Sequence, residues 1–471
     1  METKIINYIP KKDFWRKCLL ISFLVFLISV IGAIPIYLEP FSLYVSLGIL
    51  LGVILILVLY RFPEIVFALF LTAGCFKGNP QLQRILPDFF DLTVFFALVV
   101  VLAILINILK KNFHIPRIPL KLFLPYSGLV LLMLGSLAYT SSPIYGMDKF
   151  LRFITLGTLA TFAPIFLFKN KKTLHRFFYT LIFTSSLMVV ESIISSAGAF
   201  SFHMAFGSNY LALGRFTGVS ALVIIYYFLV KSGKKYKFLW TIILLLNLFG
   251  LLFGGGKAPV LSFFIVLMMI GALSFGLRMP KAKFYLLRIS LFFLFCIILV
   301  FIFSPDIFGA LLARLNQLFT TPQESASLVQ RLGLFKFALD ALRIYPILGV
   351  GVGGFSNYTY GTDTSDYPHN IILEVASELG IVGFLLLIFL IGFCFFYLLS
   401  LRKKYKEKEK YFLITMVLAL FIFMFLNSCV SGDINDNRLF FVWIGVAYAL
   451  NNIFKFENLT GISPQPTNAN K

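Results

Sequence analysis

Charge is scarce in this chain and leans one way: 13% of 471 residues are charged, with 20 Asp and Glu against 41 Lys and Arg. The five cysteines (Cys18, Cys75, Cys296, Cys394, Cys429) lie scattered in or beside apolar runs. Their spacing fits neither a metal site nor a disulfide framework, and they are expected to be packing residues. Histidine is rarer still, with four in the whole chain. With 59% hydrophobic and 17% aromatic residues, and apolar runs of about 18 or more recurring throughout, a soluble multi-domain protein is excluded. The basic segments are short, separate and flank apolar runs. The net charge of +21 is therefore read as membrane topology and contact with lipid headgroups, and not as a nucleic-acid surface.

What is present is a succession of about 14 candidate spans of about 20 residues each. They fall near 17–37, 41–60, 62–76, 89–109, 120–138, 150–168, 177–198, 211–230, 237–254, 259–277, 286–304, 370–401, 411–428 and 438–454. The third is short, so a re-entrant segment stays open and the expected fold is an all-α polytopic bundle of about 12–14 spans. No small-residue cleavage site precedes the Glu39-Pro40 turn, so the first run is read as a retained helix. Placing the N-terminus and the basic segments 110–121, 169–176, 231–237, 278–288 and 402–410 in the cytoplasm gives a consistent alternation. Both termini are then cytoplasmic, with about 30 of the 41 Lys and Arg inside and about 14 of the 20 acids outside or in outer helix ends.

One connection breaks the short-loop pattern. Between Ser304 and Pro368 lie about 60 extracytoplasmic residues, long for a loop without structure of its own. Within it Leu328, Leu332, Phe335, Leu339 and Leu342 mark one face of an amphipathic helix that lies on the membrane or caps the bundle, with Arg331, Lys336, Asp340 and Arg343 mostly elsewhere on its surface. The following Gly349-Val350-Gly351-Val352-Gly353-Gly354 run lacks the strand-turn-helix context of a nucleotide loop and is read as a flexible connector. The chain thus divides into transmembrane helices over 1–303, an extracytoplasmic loop over 304–368, further transmembrane helices over 369–457 and a disordered tail over 458–471.

The cations that fall outside are Lys77, Arg84, Lys149, Arg152, Arg215, Lys257, Arg314, Arg331, Lys336, Arg343 and Arg438. Arg152, Arg215 and Lys257 sit within an apolar run or at its edge beside glycine, where a cation can hold an anion and arginine suits phosphate through its planar fork. Any one of them taken alone is equally explained by snorkelling to the headgroups. Together with Arg438, after Gly432-Asp433-Ile434-Asn435-Asp436-Asn437, they point to a pocket for a phosphorylated lipid.

The segment Pro368-His369-Asn370-Ile371-Ile372-Leu373-Glu374, with Glu378 following, sets a histidine and two acids at the mouth of a membrane helix. Ionisable groups there are costly and mark a functional site by default. Asp366 is the expected N-cap, with Pro368 in the first turn. Asn370, Glu374 and Glu378 form a polar stripe, while His369 at the helix entrance is favoured as a neutral imidazole able to take a proton. The residues alone leave two readings open: a general base with its supporting stripe, or a loop cap with inter-helix pairing.

The pattern His369-Asn370-x-x-Leu373-Glu374, then Glu378-x-Gly380-Ile381-x-Gly383, preceded by Pro346-x-x-Gly349-x-Gly351-x-Gly353, resembles the signature of the O-antigen ligase and O-antigen polymerase superfamily. The resemblance is specific over 331–393. Elsewhere Arg215 in Gly214-Arg215-Phe216-Thr217-Gly218 matches a family arginine without the asparagines that follow it, and Lys257 stands where many members carry arginine. It implies a polytopic glycosyltransferase on the outer face of a bacterial cytoplasmic membrane. The donor would be an undecaprenyl-diphosphate-linked glycan, and the acceptor a lipid A core sugar (ligase) or a second lipid-linked glycan (polymerase), with the ligase slightly preferred.

On that reading His369 is base or acceptor-positioning group, and Glu374 assists it. Asn370 and Glu378 orient, Arg215 and Lys257 hold the diphosphate, and Arg152 and Arg438 are lesser diphosphate contacts. No cofactor or metal is expected: Asp433-x-x-Asp436 and Asp363-x-x-Asp366 are read as solvated turns. A lipid-linked glycan flippase or transporter is the alternative of another class, although no internal repeat is visible and the polar features gather on one face. A scaffold without turnover is the third.

Overall fold

A computed structural model describes residues 61–76, 78–79, 91–109, 116, 118–196, 205–230, 234–254, 256–275 and 326–460. The chain divides into two units, Met1–Phe62 and Pro63–Lys471, and the elements below all lie in the second. The spans expected near 17–37, 41–60 and 286–304 lie outside the described residues.

Every regular element among the described residues is a helix. In order they are α1 (Pro63–Phe76), α2 (Leu92–Leu109), α3 (Leu120–Ser136), α4 (Pro143–Arg152), a π-turn (Phe153–Gly157), α5 (Thr158–Leu167), α6 (Lys171–Ser196) and α7 (Tyr210–Val230). They continue with α8 (Lys234–Phe253), α9 (Lys257–Phe275), α10 (Ala326–Ile344), α11 (Phe355–Tyr360), α12 (Ile371–Lys404), α13 (Lys408–Ser428) and α14 (Arg438–Thr460). Among the described residues seven segments are long and apolar enough to cross a membrane: Leu92–Leu109, Pro143–Leu167, Lys171–Ser195, Tyr210–Phe228, Ile371–Lys404, Lys408–Ser428 and Arg438–Glu457. α1 has 14 residues, a length of about 21 Å that falls short of the hydrocarbon thickness. The chain is a polytopic helical bundle.

α7, α13 and α14 are apolar nearly all round and form its centre, with Tyr227, Phe421 and Trp443 fully enclosed. Around them α5 packs on α14, α8 on α7, α9 on α13 and α3 on α12. Helix ends assigned to one side by charge meet one another: Lys171 Nζ lies 3.3 Å from Glu409 Oε1 and 3.2 Å from Glu457 Oε2, and Arg402 donates to the Leu273 carbonyl at 2.8 Å.

Two local devices position the site. α4 opens with Pro143 after Ser142, whose side chain makes no cap. Its first amides are capped from across the chain instead, Ile144 N and Tyr145 N donating to the Asp363 carboxylate at 2.9 and 3.0 Å. α12 is broken at Gly380, whose φ of 65° leaves carbonyls without helical partners. The 346–351 segment supplies partners there: Val350 N donates to Ser377 O at 3.0 Å and Gly351 N to Glu378 O at 2.9 Å, while Ile381 N donates to Pro346 O at 2.8 Å.

Two sequence expectations are corrected here. The glycine run is no flexible connector, because residues 349–356 are buried and hydrogen-bonded to the break in α12. On α10 Leu334 and Ala338 pack against Phe355 and Leu373, whereas Leu332 and Leu339 of the apolar face are 55% and 54% exposed. Ala338 and Ala341 are buried as well, and α10 packs on α12. At the far end α14 runs on through Asn458 to Thr460, and the remainder of the expected tail lies outside the described residues.

Candidate functional site

α12 begins at Ile371, and its N-cap is Asn370, whose Oδ1 accepts from Ile372 N at 2.9 Å and Leu373 N at 3.1 Å. The expected cap, Asp366, accepts from Thr364 Oγ1 at 3.0 Å instead. His369 therefore stands one residue before the cap, in the left-handed region at φ 56°. That conformation is costly for a side chain with a Cβ and is held only where neighbours enforce it. The His369 ring meets Tyr367 edge-on at 4.6 Å, and its buried Nδ1 has no hydrogen-bond partner. Burial and then the nearby Arg331 guanidinium draw the imidazole below its ordinary value, against a smaller opposing pull from Asp366, so the ring is neutral near pH 7.

Glu374 and Glu378 lie on the first two turns of α12 and are 1% and 3% exposed. Both are buried on a single ammonium: Lys149 Nζ, itself 1% exposed, lies 2.5 Å from Glu374 Oε1 and 2.7 Å from each oxygen of Glu378. Glu374 Oε1 also accepts from Ile434 N at 3.2 Å, and Asn435 Nδ2 donates to the Lys149 carbonyl at 3.1 Å. Tyr145 OH completes the tie to the 431–437 loop by donating to Asp433 Oδ2 at 3.3 Å.

In front of that loop is a cavity of about 390 Å³, within the size range of small-molecule sites. Arg215, Arg331 and Arg438 line it together with His369, Tyr367 and Asp436. Its lining also includes the apolar Leu71, Leu211, Phe216, Met424 and Leu439. Arg215 is 9% exposed, and its Nη2 donates to the Ser431 carbonyl at 2.8 Å while its Nε has no protein partner. Arg438 donates to the Asn435 carbonyl at 3.1 Å, and Tyr367 OH donates to Asp436 Oδ2 at 3.4 Å. Guanidinium donors lining one cavity are suited to an anion with several oxygens.

Of the residues singled out from sequence, His369, Arg215 and Arg438 are brought together in the cavity. Asn370 caps α12, and Glu374 and Glu378 lie behind the site in the Lys149 pair. Lys257 begins α9 and does not line the cavity, while Arg152 is 60% exposed and pairs with Asp148 at 2.9 Å. Sequence reasoning left Arg331, Lys149, Tyr367 and Asp436 without roles. Arg331 stands out in the sequence only as a flank of the amphipathic face and as one outer cation among several, and Lys149 only as the latter.

Among the described residues no group of His, Cys, Asp or Glu is arranged to hold a metal ion. Asp433 accepts from Tyr145 OH and from Asp436 N at 2.6 Å, and Asp363 caps α4, so neither is a free solvated acid.

These features define a polytopic helical membrane protein with an arginine-lined cavity and a neutral histidine at the mouth of one span. Residues 210–388 match the family model described as O-Antigen ligase. The matched stretch holds Arg215, Arg331 and His369, whereas Lys149, Asp436 and Arg438 lie outside it. No curated protein matches the chain.

Proposed function

We propose that the protein is an O-antigen ligase of the cytoplasmic membrane, moving a glycan from undecaprenyl diphosphate to a lipid A core sugar on the extracytoplasmic face. The observation that carries this reading is the convergence of three arginines and a neutral histidine on one cavity whose lining is in part apolar. The acceptor hydroxyl attacks the anomeric carbon, the bond from that carbon to the diphosphate oxygen breaks, and His369 takes the hydroxyl proton. Arg215, Arg331 and Arg438 hold the diphosphate as negative charge develops on it. The leucine and phenylalanine side chains of the lining accommodate the start of the polyprenyl chain. This reading moves the third cation from Lys257 or Arg152 to Arg331, and takes Glu374 out of direct contact with the reacting groups. The match to a family model described as O-Antigen ligase supports the reaction class.

The test is incubation of the purified protein in lipid with an undecaprenyl-diphosphate-linked repeat unit, with and without a lipid A core acceptor, the products being resolved by size. Transfer only when acceptor is present supports the ligase. A ladder from donor alone assigns the polymerase reaction in its place, and movement of intact donor across the bilayer without a new glycosidic bond assigns a flippase.

A further inference from the structure

The cavity does not touch Lys149, yet two of the segments that line it are tied to this one residue. Lys149 comes from α4, while its two carboxylates come from the first turns of α12, directly after His369 and ahead of the break at Gly380. Glu374, held by Lys149, accepts from Ile434 N. The Lys149 carbonyl accepts from Asn435, and Tyr145, one turn earlier on α4, donates to Asp433. The same loop supplies the Ser431 carbonyl that orients Arg215, and the Asp436 carboxylate that faces the cavity. Ion pairs buried to this degree are no net source of stability compared with apolar packing, so a bridge of one cation and two acids needs a reason other than strength. Fixing geometry is that reason.

We infer that Lys149 is a positioning residue for the transfer site. Through Glu374 it sets the 431–437 loop and so the Arg215 guanidinium, and through Glu378 it sets the start of α12 that presents His369. The inference rests on the glycosyl-transfer reading for its effect on turnover, but its effect on the loop is independent of any substrate.

Lys149→Met alone strands two buried acids and endangers folding, so the deciding variant is Lys149→Met/Glu374→Gln/Glu378→Gln, which leaves no buried charge in the bridge. Full-length protein in nanodiscs is followed by thermal unfolding, by amide hydrogen exchange over 431–437, and by binding of undecaprenyl diphosphate. A parental melting temperature is expected, with faster exchange across Ile434–Asn437, binding weaker by about tenfold and turnover lower by about 100-fold. Unchanged exchange in a well-folded triple variant overturns the positioning role. Faster exchange with parental binding and turnover also overturns it, by confining Lys149 to the scaffold. Should the parental protein fail to bind undecaprenyl diphosphate, the reading of the cavity fails, and the exchange result still decides whether Lys149 sets the loop.

Discussion

His369 combines three unusual properties in one residue: a left-handed backbone, an unpartnered buried Nδ1 and an arginine neighbour. Each has a measurable counterpart. His369→Ala should lower turnover by about 10²–10⁴-fold with normal membrane abundance, the usual contribution of a general base; a parental glycan profile would remove His369 from the mechanism. Because the imidazole is drawn below its ordinary value of about 6.5, it stays neutral through neutral pH, and kcat/KM should fall only on the acid side of that value. The same sign governs stability: the neutral form contributes fully above about pH 6.5, and the contribution is lost as pH falls through the lowered value. Arg331→Gln removes one cause of the depression, so its acid limb should move to higher pH, and a limb that stays in place would show that another group titrates. His369, Arg215 and Arg438 were visible in the sequence because each stands beside a helix end with glycine or proline punctuation. Lys149 and Arg331 were not, because nothing local to either names a partner, and the Lys149–Glu378 contact spans 229 residues.

At the scale of elements, α12 shows how a sequence pattern can name the right residues and misplace the device. The spacing of Asn370, Glu374 and Glu378 reads as one polar stripe, and in the structure the first caps the helix while the other two share an ammonium. Their separation was legible, but the break at Gly380 was not, because a glycine within an apolar run gives no sign of its φ. A Cβ at Gly380 would collide with the Ile347 carbonyl, and both sides of that contact are backbone. Gly380→Ala should therefore cost about 1–3 kcal/mol and lower the melting temperature in detergent. Gly392→Ala, further along the same helix with open space around it, is the control and should be neutral or slightly stabilising. Equal melting temperatures for the two would argue against the break.

On the scale of the whole molecule, periodicity and charge located the described spans to within a few residues, since a membrane leaves little choice of element. The largest offset is α4, which starts at Pro143 where the apolar run alone suggested about 150, because the Asp363 carboxylate caps it from a distance. The charge alternation makes a further prediction. In a cysteine-free background, a cysteine at Asp366 should react with a membrane-impermeant maleimide added outside, and one at Lys404 only after permeabilisation. Labelling of both from outside would overturn the assigned sides. Activity should also persist in excess EDTA, and loss of turnover restored by a divalent ion would count against a reaction run by arginines and histidine alone.

The bridge at Lys149 also has a history within each molecule's synthesis. α4 leaves the ribosome long before α12, and 229 residues separate the ammonium from Glu378. At a translation rate of ~5–20 residues per second that is a delay of roughly 10–45 s. Throughout it, a membrane segment carries a cation whose counterions do not yet exist, and such a charge keeps its helix end at the headgroups until they arrive. The site therefore closes only when the last third of the chain is inserted, and a product truncated before α12 presents this lysine without either carboxylate.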